Sequence, residues 1–376
     1  MTDIKQPRST SIRVHLTNVV GAGASQLLLS LLPALESNPG VQVDAVYLPD
    51  KGPLQSYVPA SGETRCITYH RRMPNAISRI LECTIFGGRF NGSTPLLVLG
   101  DLPVRCKDQQ VLFVQTTHLV LASASNSVSS NIKFWIARLI FALNQKCVSA
   151  FIVQTEFMRS ALLASYPALQ GRVHIVSQPV PTWLLENKVQ HHGRSLDDNT
   201  GLKLFYPAAA YPHKNHQLLA QLADAAQWPV ESLQLTLEPS VNPSPTTAWI
   251  KCTGFLSAEQ MRQAYAEADA LLFLSLTESY GFPLIEAMFI GLPIICPDLP
   301  YARALCGAQA IYFEANDIQS LRRACIELKT RLLSGWQPDW SAQIKRLPQD
   351  WDSVASQMLD VIRLAQALPT LDIRTH

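Results

Sequence analysis

The sequence contains no apolar run long enough to cross a membrane. A spanning helix needs about 18 to 20 consecutive apolar residues, and the 376 residues of this chain include no such stretch. Residues 1–13 are polar and lack the apolar segment of a secretion signal. Both absences predict a cytoplasmic protein.

Charge is also scarce. Only 16% of the residues are charged and the formal net charge is +2, so nothing draws the chain as a whole to nucleic acid. The eight cysteines form no Cys-x-x-Cys pair, and we expect them to be reduced, small apolar residues. Hydrophobic residues, in contrast, make up 47% of the chain, which is enough for two cores of ordinary size.

Short apolar runs alternate with helical patterns along the chain, which is typical of a doubly wound α/β sheet. A polar stretch without periodicity, 188–201, separates two such series, so we predict an N-terminal domain 1–187, a linker 188–201, a C-terminal domain 202–350, and a final helix and tail 351–376. Strands are predicted at 12–16, 43–48, 96–99, 111–114, 151–154, 173–176, 204–206, 233–237, 249–252, 271–274, 294–296 and 311–313. Helices are predicted at 25–36, 132–145, 156–165 and 353–367, and a capping box at 257–260 opens another.

The most informative segment is 270–298. Its apolar run 270–275 predicts a strand buried on both faces, so Glu278 follows the carboxyl end of a strand. Gly281 permits a sharp turn, and Pro283 suits the first position of a helix that ends near Gly291.

The amides of that first helical turn, 282–285, are predicted to face the crevice above the sheet, where open α/β folds bind ligands and where an anion is favoured. Glu286 lies in the same turn, and its carboxylate can accept hydrogen bonds from paired hydroxyls such as those of a ribose. The alternative is that Glu286 only complements the helix dipole and that Glu278 is a solvated loop residue.

The segment resembles the donor-binding motif of the retaining glycosyltransferases of family 4. That motif has two glutamates eight positions apart, and the second is the first residue of Glu-Ala-Met-x-x-Gly-x-Pro, which begins here at residue 286. The resemblance implies that Glu286 binds the nucleotide ribose and that Glu278 holds the donor sugar. It places the intervening residues Gly281, Phe282, Pro283 and Leu284 in the same donor site.

A second stretch, Tyr-Pro-His-Lys-Asn after the predicted strand 204–206, resembles the family's phosphate-binding loop. It implies that Lys214 stabilises the leaving diphosphate, which a lysine can do as a point charge. Many family members carry an arginine six residues earlier, where this chain has Ala208. The candidates to replace that charge are His213, Asn215 and Arg303.

Two features of the first half belong to the predicted site. Gly21 and Gly23 follow the first strand, but Gln26 stands at the third position of a dinucleotide fingerprint. Two interpretations stay open: a loop near the donor phosphates and acceptor, as in the family, or a simple tight turn. His118 follows the strand 111–114, where catalytic groups are often presented. The resemblance implies a place near the reacting centre, and the alternative is a packed or surface histidine.

The resemblance implies the GT-B fold, with two Rossmann-like, doubly wound domains facing a cleft and a C-terminal helix crossing back to the first domain. It implies that a UDP- or GDP-sugar donates its sugar, with retention, to a glycan or lipid-linked oligosaccharide in bacterial O-antigen or exopolysaccharide synthesis. No cofactor or metal is expected besides the donor substrate. The Asp-Trp-Asp at 350–352 is predicted to be a helix cap with a packed tryptophan.

Three other functions stay open from the sequence. A nucleotide-sugar 2-epimerase would share the fold and the donor, and a non-catalytic scaffold would explain the missing arginine at Ala208. A nicotinamide dehydrogenase is disfavoured by the incomplete glycine fingerprint. The helix at 131–146 mixes cations with large apolar residues, which suits contact with the inner face of the cell membrane or a buried core helix.

Overall fold

The computed structural model describes residues 9–19, 21–70, 75–120, 128–185, 191 and 193–367. Residues 188–190 and 192 of the predicted linker and the tail 368–376 lie outside these residues. The chain divides into two compact units. One consists of 1–179 together with the C-terminal residues from 348, and the other of 180–347.

The first unit contains a seven-stranded parallel sheet with the strand order β3-β2-β1-β4-β5-β6-β7. The strands are β1 (Thr10–His15), β2 (Val41–Pro49), β3 (Arg65–Tyr69), β4 (Leu96–Val98), β5 (Gln110–Phe113), β6 (Ala150–Val153) and β7 (Val173–Ile175). The helices are α1 (Ala22–Ser37), α2 (Asn75–Cys83), α3 (Val128–Asn144) and α4 (Glu156–Ser165).

The second unit contains a six-stranded parallel sheet with the order β10-β9-β8-β11-β12-β13. Its strands are β8 (Leu202–Tyr206), β9 (Val230–Leu235), β10 (Ile250–Cys252), β11 (Ala270–Leu272), β12 (Ile294–Pro297) and β13 (Ile311–Phe313). Its helices are α5 (Thr182–Leu185), α6 (Ala258–Glu267), α7 (Phe282–Phe289), α8 (Pro300–Cys306), α9 (Ile318–Leu333) and α10 (Ser341–Ile344).

The last helix, α11 (Trp351–Ala367), packs against α1, β5 and β6 of the first unit. Arg363 fixes it there, because its Nε donates to Thr10 Oγ1 at 3.2 Å and its Nη2 donates to the carbonyl of Gly40 at 3.0 Å. Asp350 caps the helix by accepting from Ser353 N at 2.8 Å, and the neighbouring tryptophan is buried. The prediction of a cap at 350–352 is therefore confirmed.

Every strand that the sequence predicted is present, with ends that differ by three residues at most. The capping box is also confirmed, since Gln260 N donates to Ser257 Oγ at 3.3 Å and Ser257 N donates to Gln260 Oε1 at 2.9 Å. The prediction did not include β3 or the helices α2, α5, α8, α9 and α10. The reason for β3 is physical, because it is an edge strand with mostly exposed residues and carries no apolar pattern.

The order of the strands reverses direction at one place in each sheet. In the first sheet this place lies between β1 and β4, and in the second it lies between β8 and β11. The loops leaving two adjacent strands there turn to opposite sides of the sheet and leave a crevice at its carboxyl edge. Residues that follow these strands are therefore the ones that a ligand can reach.

The predicted linker is anchored where the structure describes it. Arg194 forms a two-pronged contact with the buried carboxylate of Asp269, with Nε to Oδ1 and Nη2 to Oδ2 both at 2.9 Å. It also donates to Glu231 at 3.1 Å and to the carbonyl of Gly201. The segment 193–201 thus belongs to the second unit, and the first unit ends at residue 179 rather than at 187.

We predict that Arg194→Ala destabilises the second unit by about 2–3 kcal/mol, because it leaves the Asp269 carboxylate buried without its charged partner. Urea unfolding followed by circular dichroism measures this loss. Arg323→Ala is the matched control, since that arginine pairs with Asp317 on the surface, and we expect it to unfold like the wild type. Equal midpoints for the two variants would contradict the assignment.

Candidate active site

Lys214 and Glu278 are 64 positions apart in sequence, and the fold brings them into contact. Lys214 follows β8 and Glu278 follows β11, and these strands are neighbours in the second sheet. The lysine Nζ lies 2.5 Å from Glu278 Oε1, and the two side chains are only 15% and 11% exposed. A charged pair of this kind, largely shielded from water, is held at the crevice that the strand order creates.

The loop that carries Lys214 is tied to the loop that carries Glu278. Leu276 N donates to the carbonyl of His213 at 2.8 Å, and Tyr206 Oη donates to the carbonyl of Lys214 at 2.7 Å. Short 3-10 turns flank this part of the loop, with Asn215 between them in the left-handed region at φ 55°.

The turn into α7 depends on Gly281. Its φ of +82° lies in the left-handed region, which side chains other than glycine rarely adopt. The carbonyl of Gly281 accepts from Leu284 N at 2.9 Å and from Ile285 N at 3.4 Å, while Pro283 has no N–H. The amides of Leu284 and Ile285, which were predicted to face the crevice, therefore already donate within the turn. An anion would have to bind to backbone amides that precede Leu284 in the chain.

Glu286 is more deeply buried than the sequence indicated. Its side chain points into the second unit, where Tyr265 Oη of α6 donates to Glu286 Oε2 at 2.6 Å. Burial raises the pKa of the Glu286 carboxyl to about 7, and the hydrogen bond from Tyr265 opposes this rise. Near neutral pH, both the ionised and the protonated form are therefore populated.

The candidates to replace the missing arginine have other partners. Arg303 forms a two-pronged pair with Asp298, at 2.6 and 2.7 Å, and covers the ring of Tyr312. Asn215 Nδ2 donates to the side-chain oxygen of Asn316 at 3.1 Å. His213 stacks on Tyr211, with ring centroids 5.7 Å apart. Lys214 is the cation that the structure places against Glu278.

The predicted glycines of the first unit lie at the start of α1, and both are exposed. Gly21 has φ −75° and ψ 139°, a conformation that any residue adopts. A Cβ added at Gly21 or at Gly23 would meet no atom within 4 Å. The turn itself thus does not require glycine, and the backbone at this loop is open to a close approach from outside.

His118 follows β5 in the first unit and is half-buried. Its ring stacks on Phe134 of α3, with centroids 4.0 Å apart, and Arg138 Nε donates to its carbonyl at 3.0 Å. Burial lowers the pKa of the imidazole, as do the charges of Arg138 and Lys133. A neutral ring at pH 7 follows, with one nitrogen able to accept a proton.

Two supporting residues were not predicted from the sequence. Tyr265 is buried on α6, the helix that the capping box opens, and its hydrogen bond to Glu286 follows from the way α6 packs on the second sheet. Asp101 follows β4 and has φ +66°, and its Oδ1 accepts from Gln115 N at 2.5 Å and from Thr116 N at 3.0 Å. It thus fixes the chain that leads to His118. Its place just after a predicted strand was the signal that could have identified it.

Among the residues that the structure describes, no three His, Cys, Asp or Glu side chains are placed to hold a metal ion. The residues predicted for one site fall in two groups. Lys214, Glu278, Glu286 and the turn at 281–284 belong to the second unit, and Gly21, Gly23 and His118 belong to the first.

We predict that Glu286→Gln stabilises the protein more at pH 8 than at pH 5. The folded-state pKa of about 7 lies above the ordinary value of 4.5, so the folded wild type loses stability as pH rises through this range, by about 2–3 kcal/mol. The glutamine has no such titration. The melting temperatures of both proteins across this range measure the difference. Exposed Glu314→Gln is the control, and a gain independent of pH would contradict the burial of a titrating carboxyl.

The second unit matches a known family. Residues 187–331 fit the family model described as Glycosyl transferases group 1. O-antigen chain mannosyltransferase B from Escherichia coli is 24% identical over 125 residues, which cover 31% of this chain and 30% of that protein. The matched stretch thus spans less than a third of the length of this relative.

Solved structures resemble the whole chain. Sucrose-phosphate synthase (tll1590) from Thermosynechococcus elongatus aligns with a TM-score of 0.63 at 16% identity, over 95% of this chain and 99% of that one. WaaG, a glycosyltransferase involved in lipopolysaccharide biosynthesis, aligns with a TM-score of 0.62 at 12% identity, over 93% and 99%. The predicted GT-B class, with two Rossmann-like parallel-sheet domains, is confirmed. The whole chain thus has the fold of the GT-B structures, and its residues 187–331 are similar to the Glycosyl transferases group 1 family.

Proposed function

We propose that this chain is a glycosyltransferase that moves a sugar from a nucleotide diphosphate sugar to a hydroxyl of a glycan or lipid-linked acceptor. The observation that carries the proposal is the contact between Lys214 and Glu278 at the crevice between β8 and β11. It lies within the stretch that matches the group 1 family. The pair offers a cation for a diphosphate and, beside it, an acceptor for sugar hydroxyls.

Donor binding would exchange the partners of this pair. The diphosphate brings negative charge to Lys214, and the lysine can release Glu278 because a charge-assisted contact to phosphate replaces the one it loses. The freed carboxylate can then accept hydrogen bonds from hydroxyls of the donor sugar. As the bond between the sugar and the diphosphate breaks, Lys214 stabilises the charge that develops on the leaving phosphate.

Glu286 would hold the other end of the donor. Its Oε2 accepts from Tyr265, so Oε1 is the oxygen that can accept from the ribose hydroxyls. Because the carboxyl is shielded from water, each charge-assisted hydrogen bond to it is worth about 1.5–3 kcal/mol. These contacts are to the ribose, so UDP and GDP fit them equally.

The reaction we propose retains the anomeric configuration. The acceptor hydroxyl attacks from the face that the diphosphate leaves, and the leaving phosphate takes the acceptor proton. Lys214 supplies the positive charge, and no metal is required in this scheme. His118 and the open backbone at Gly21 and Gly23 are proposed to contact the acceptor or the donor phosphates. The likeness to an O-antigen chain mannosyltransferase favours a hexose, and mannose first, in a bacterial surface polysaccharide.

We predict that Glu286→Ala and Lys214→Ala each lower the rate of sugar transfer at least about 100-fold, the scale of losing one preorganised electrostatic contact. Calorimetric titration of UDP, GDP, UDP-glucose and GDP-mannose first identifies the nucleotide that the protein binds. Sugar transfer from the corresponding donor is then assayed with EDTA present. Lys251→Ala removes an exposed strand lysine and serves as the control, with wild-type rates expected.

The outcomes separate the alternatives. Conversion of the bound nucleotide sugar into its 2-epimer, with no acceptor product, would indicate an epimerase, and no binding by the folded wild type would indicate a scaffold. Near-normal transfer by either variant would remove that residue from the mechanism, and loss of activity in EDTA would refute the metal-free scheme. Nuclear magnetic resonance of the first product reports whether the anomeric configuration is retained.

The exposed face of α3 supports contact with a membrane surface. Among the described helices, none has the length and apolar content needed to cross a bilayer. On α3, however, Ile140 and Phe141 are buried, while four apolar side chains of the opposite face are 44–64% exposed. These four define the α3 face: Ile132, Trp135, Leu139 and Leu143. Their spacing of three and four residues puts them on one side of the helix.

Cations accompany this face. Lys133 on α3 and Lys146, two residues beyond its end, are both exposed, and no acidic residue occurs in α3. An apolar stripe with lysines beside it suits the surface of an anionic bilayer, where each cation near the surface is worth about 1 kcal/mol. We propose that the α3 face holds the first unit on such a surface, where a lipid-linked acceptor would be found.

We predict that the wild type sediments with phosphatidylglycerol vesicles and that Trp135→Ser with Leu139→Ser lowers the bound fraction at least about fivefold, because apolar area and charge add in such binding. Phe255→Ser, which removes an 87% exposed aromatic residue of the second unit, should bind like the wild type. Binding to neutral phosphatidylcholine as strong as to the anionic vesicles, or equal binding by the double variant, would contradict the proposal.

A further inference from the structure

The donor site includes a tyrosine that no motif identifies. Tyr265 is fully buried, and its hydroxyl donates to Glu286 Oε2 at 2.6 Å. The pKa of this phenol is raised well above its ordinary value, by burial and then by the charge of Glu286. The hydroxyl therefore keeps its proton and remains a donor at every pH at which the enzyme would work.

The ring of Tyr265 is held from two sides. Phe205 of β8 meets it edge-on, with centroids 5.0 Å apart, and Trp183 of α5 stacks on it at 6.4 Å and 22°. Arg262, on the same helix as Tyr265, donates to the carbonyl of Trp183 at 3.4 Å. Because these contacts fix the ring, the direction of the hydroxyl is set before any ligand arrives.

Glu286 needs such a donor, since its carboxyl is buried. Besides α6, the elements that pack against α7 are α8, α10, β11 and β12. Neither α10 nor β11 carries a titratable side chain. Those on α8 and β12 have other partners: Tyr301 with Ser275, Arg303 with Asp298, and Cys296 with Cys306. Within the described structure, the titratable group directed at the carboxylate is Tyr265.

We propose that Tyr265 is a positioning residue, which holds one oxygen of the Glu286 carboxylate and turns the other toward the ribose hydroxyls of the donor. The inference rests on the proposed donor role of Glu286. The phenol contacts no substrate in this scheme. It acts through the carboxylate, because a hydrogen bond to the charged form favours ionisation and opposes the effect of burial. Without it, a larger share of Glu286 would be protonated at neutral pH.

The consequence is a pH dependence of donor binding that the tyrosine sets. If the ionised carboxylate is the binding form, the apparent Kd of the nucleotide is the intrinsic Kd divided by the ionised fraction. In the wild type, affinity should rise with pH and level off above about 7, the pKa of Glu286. In Tyr265→Phe, this midpoint should move up by about one pH unit, since a hydrogen bond to a charged group is worth about tenfold or more.

The experiment is calorimetric titration from pH 5.5 to 9 with UDP or GDP, whichever the wild type binds. For Tyr265→Phe we expect a Kd about fivefold weaker than wild type at pH 7 and within about twofold at pH 9. A packing defect would instead weaken binding equally at each pH. Tyr57→Phe is the matched control, because Tyr57 Oη also donates to a glutamate, Glu36, at 3.0 Å, in the first unit. It should leave the whole profile unchanged.

A second variant keeps the test decisive if the phenylalanine form does not fold. Replacement of Tyr265 by 3-fluorotyrosine retains the ring and strengthens the donor, so the midpoint should move to lower pH. Glu286→Gln separates the two claims. If it binds nucleotide as the wild type does, the donor role of Glu286 fails. If it binds weakly while both Tyr265 variants match the wild type at every pH, the positioning role alone is overturned.

Discussion

The parallel pairing of β8 with β11 is the constraint on which the candidate site depends. These strands are separated by two others in sequence, and their pairing places the strand-order reversal of the second sheet between them. Lys214 and Glu278 then meet at the carboxyl edge, because each follows one of the two strands. A different strand order would hold these two loops apart, and the contact between Lys214 and Glu278 would be lost.

In the interior of the second unit, two opposed effects act on the ionisation of Glu286. Burial of Glu286 makes its charge costly, and the hydroxyl of Tyr265 reduces that cost. The result is a carboxyl that titrates near neutral pH and has a fixed orientation, a combination often found where a protein binds or transforms a ligand. Arg194 shows the other solution, in which a buried carboxylate, Asp269, is neutralised outright and serves stability.

The first unit has the same strand-order reversal, between β1 and β4, and uses it differently. The loop after β1 is open at two glycines, and the loop after β5 presents a neutral imidazole against α3. The helix under His118 also carries the exposed apolar face. An acceptor-binding role for this edge and a membrane-facing role for α3 are therefore compatible in one unit, which fits an acceptor that carries a lipid.

The sequence by itself determined the class of fold and most of the local structure of the segment 270–298. The period and length of the apolar runs predicted the strands. Neighbouring residues predicted the turn at Gly281 and the capping box at 257–260, because both features depend on residues close together in the chain. Edge strand β3 was not predicted, because it has no apolar face. Only tertiary structure decided which distant residues touch: that Lys214 meets Glu278 and that Glu286 is buried against Tyr265. These contacts join residues on separate elements, so they follow from strand order and helix packing rather than from any local pattern.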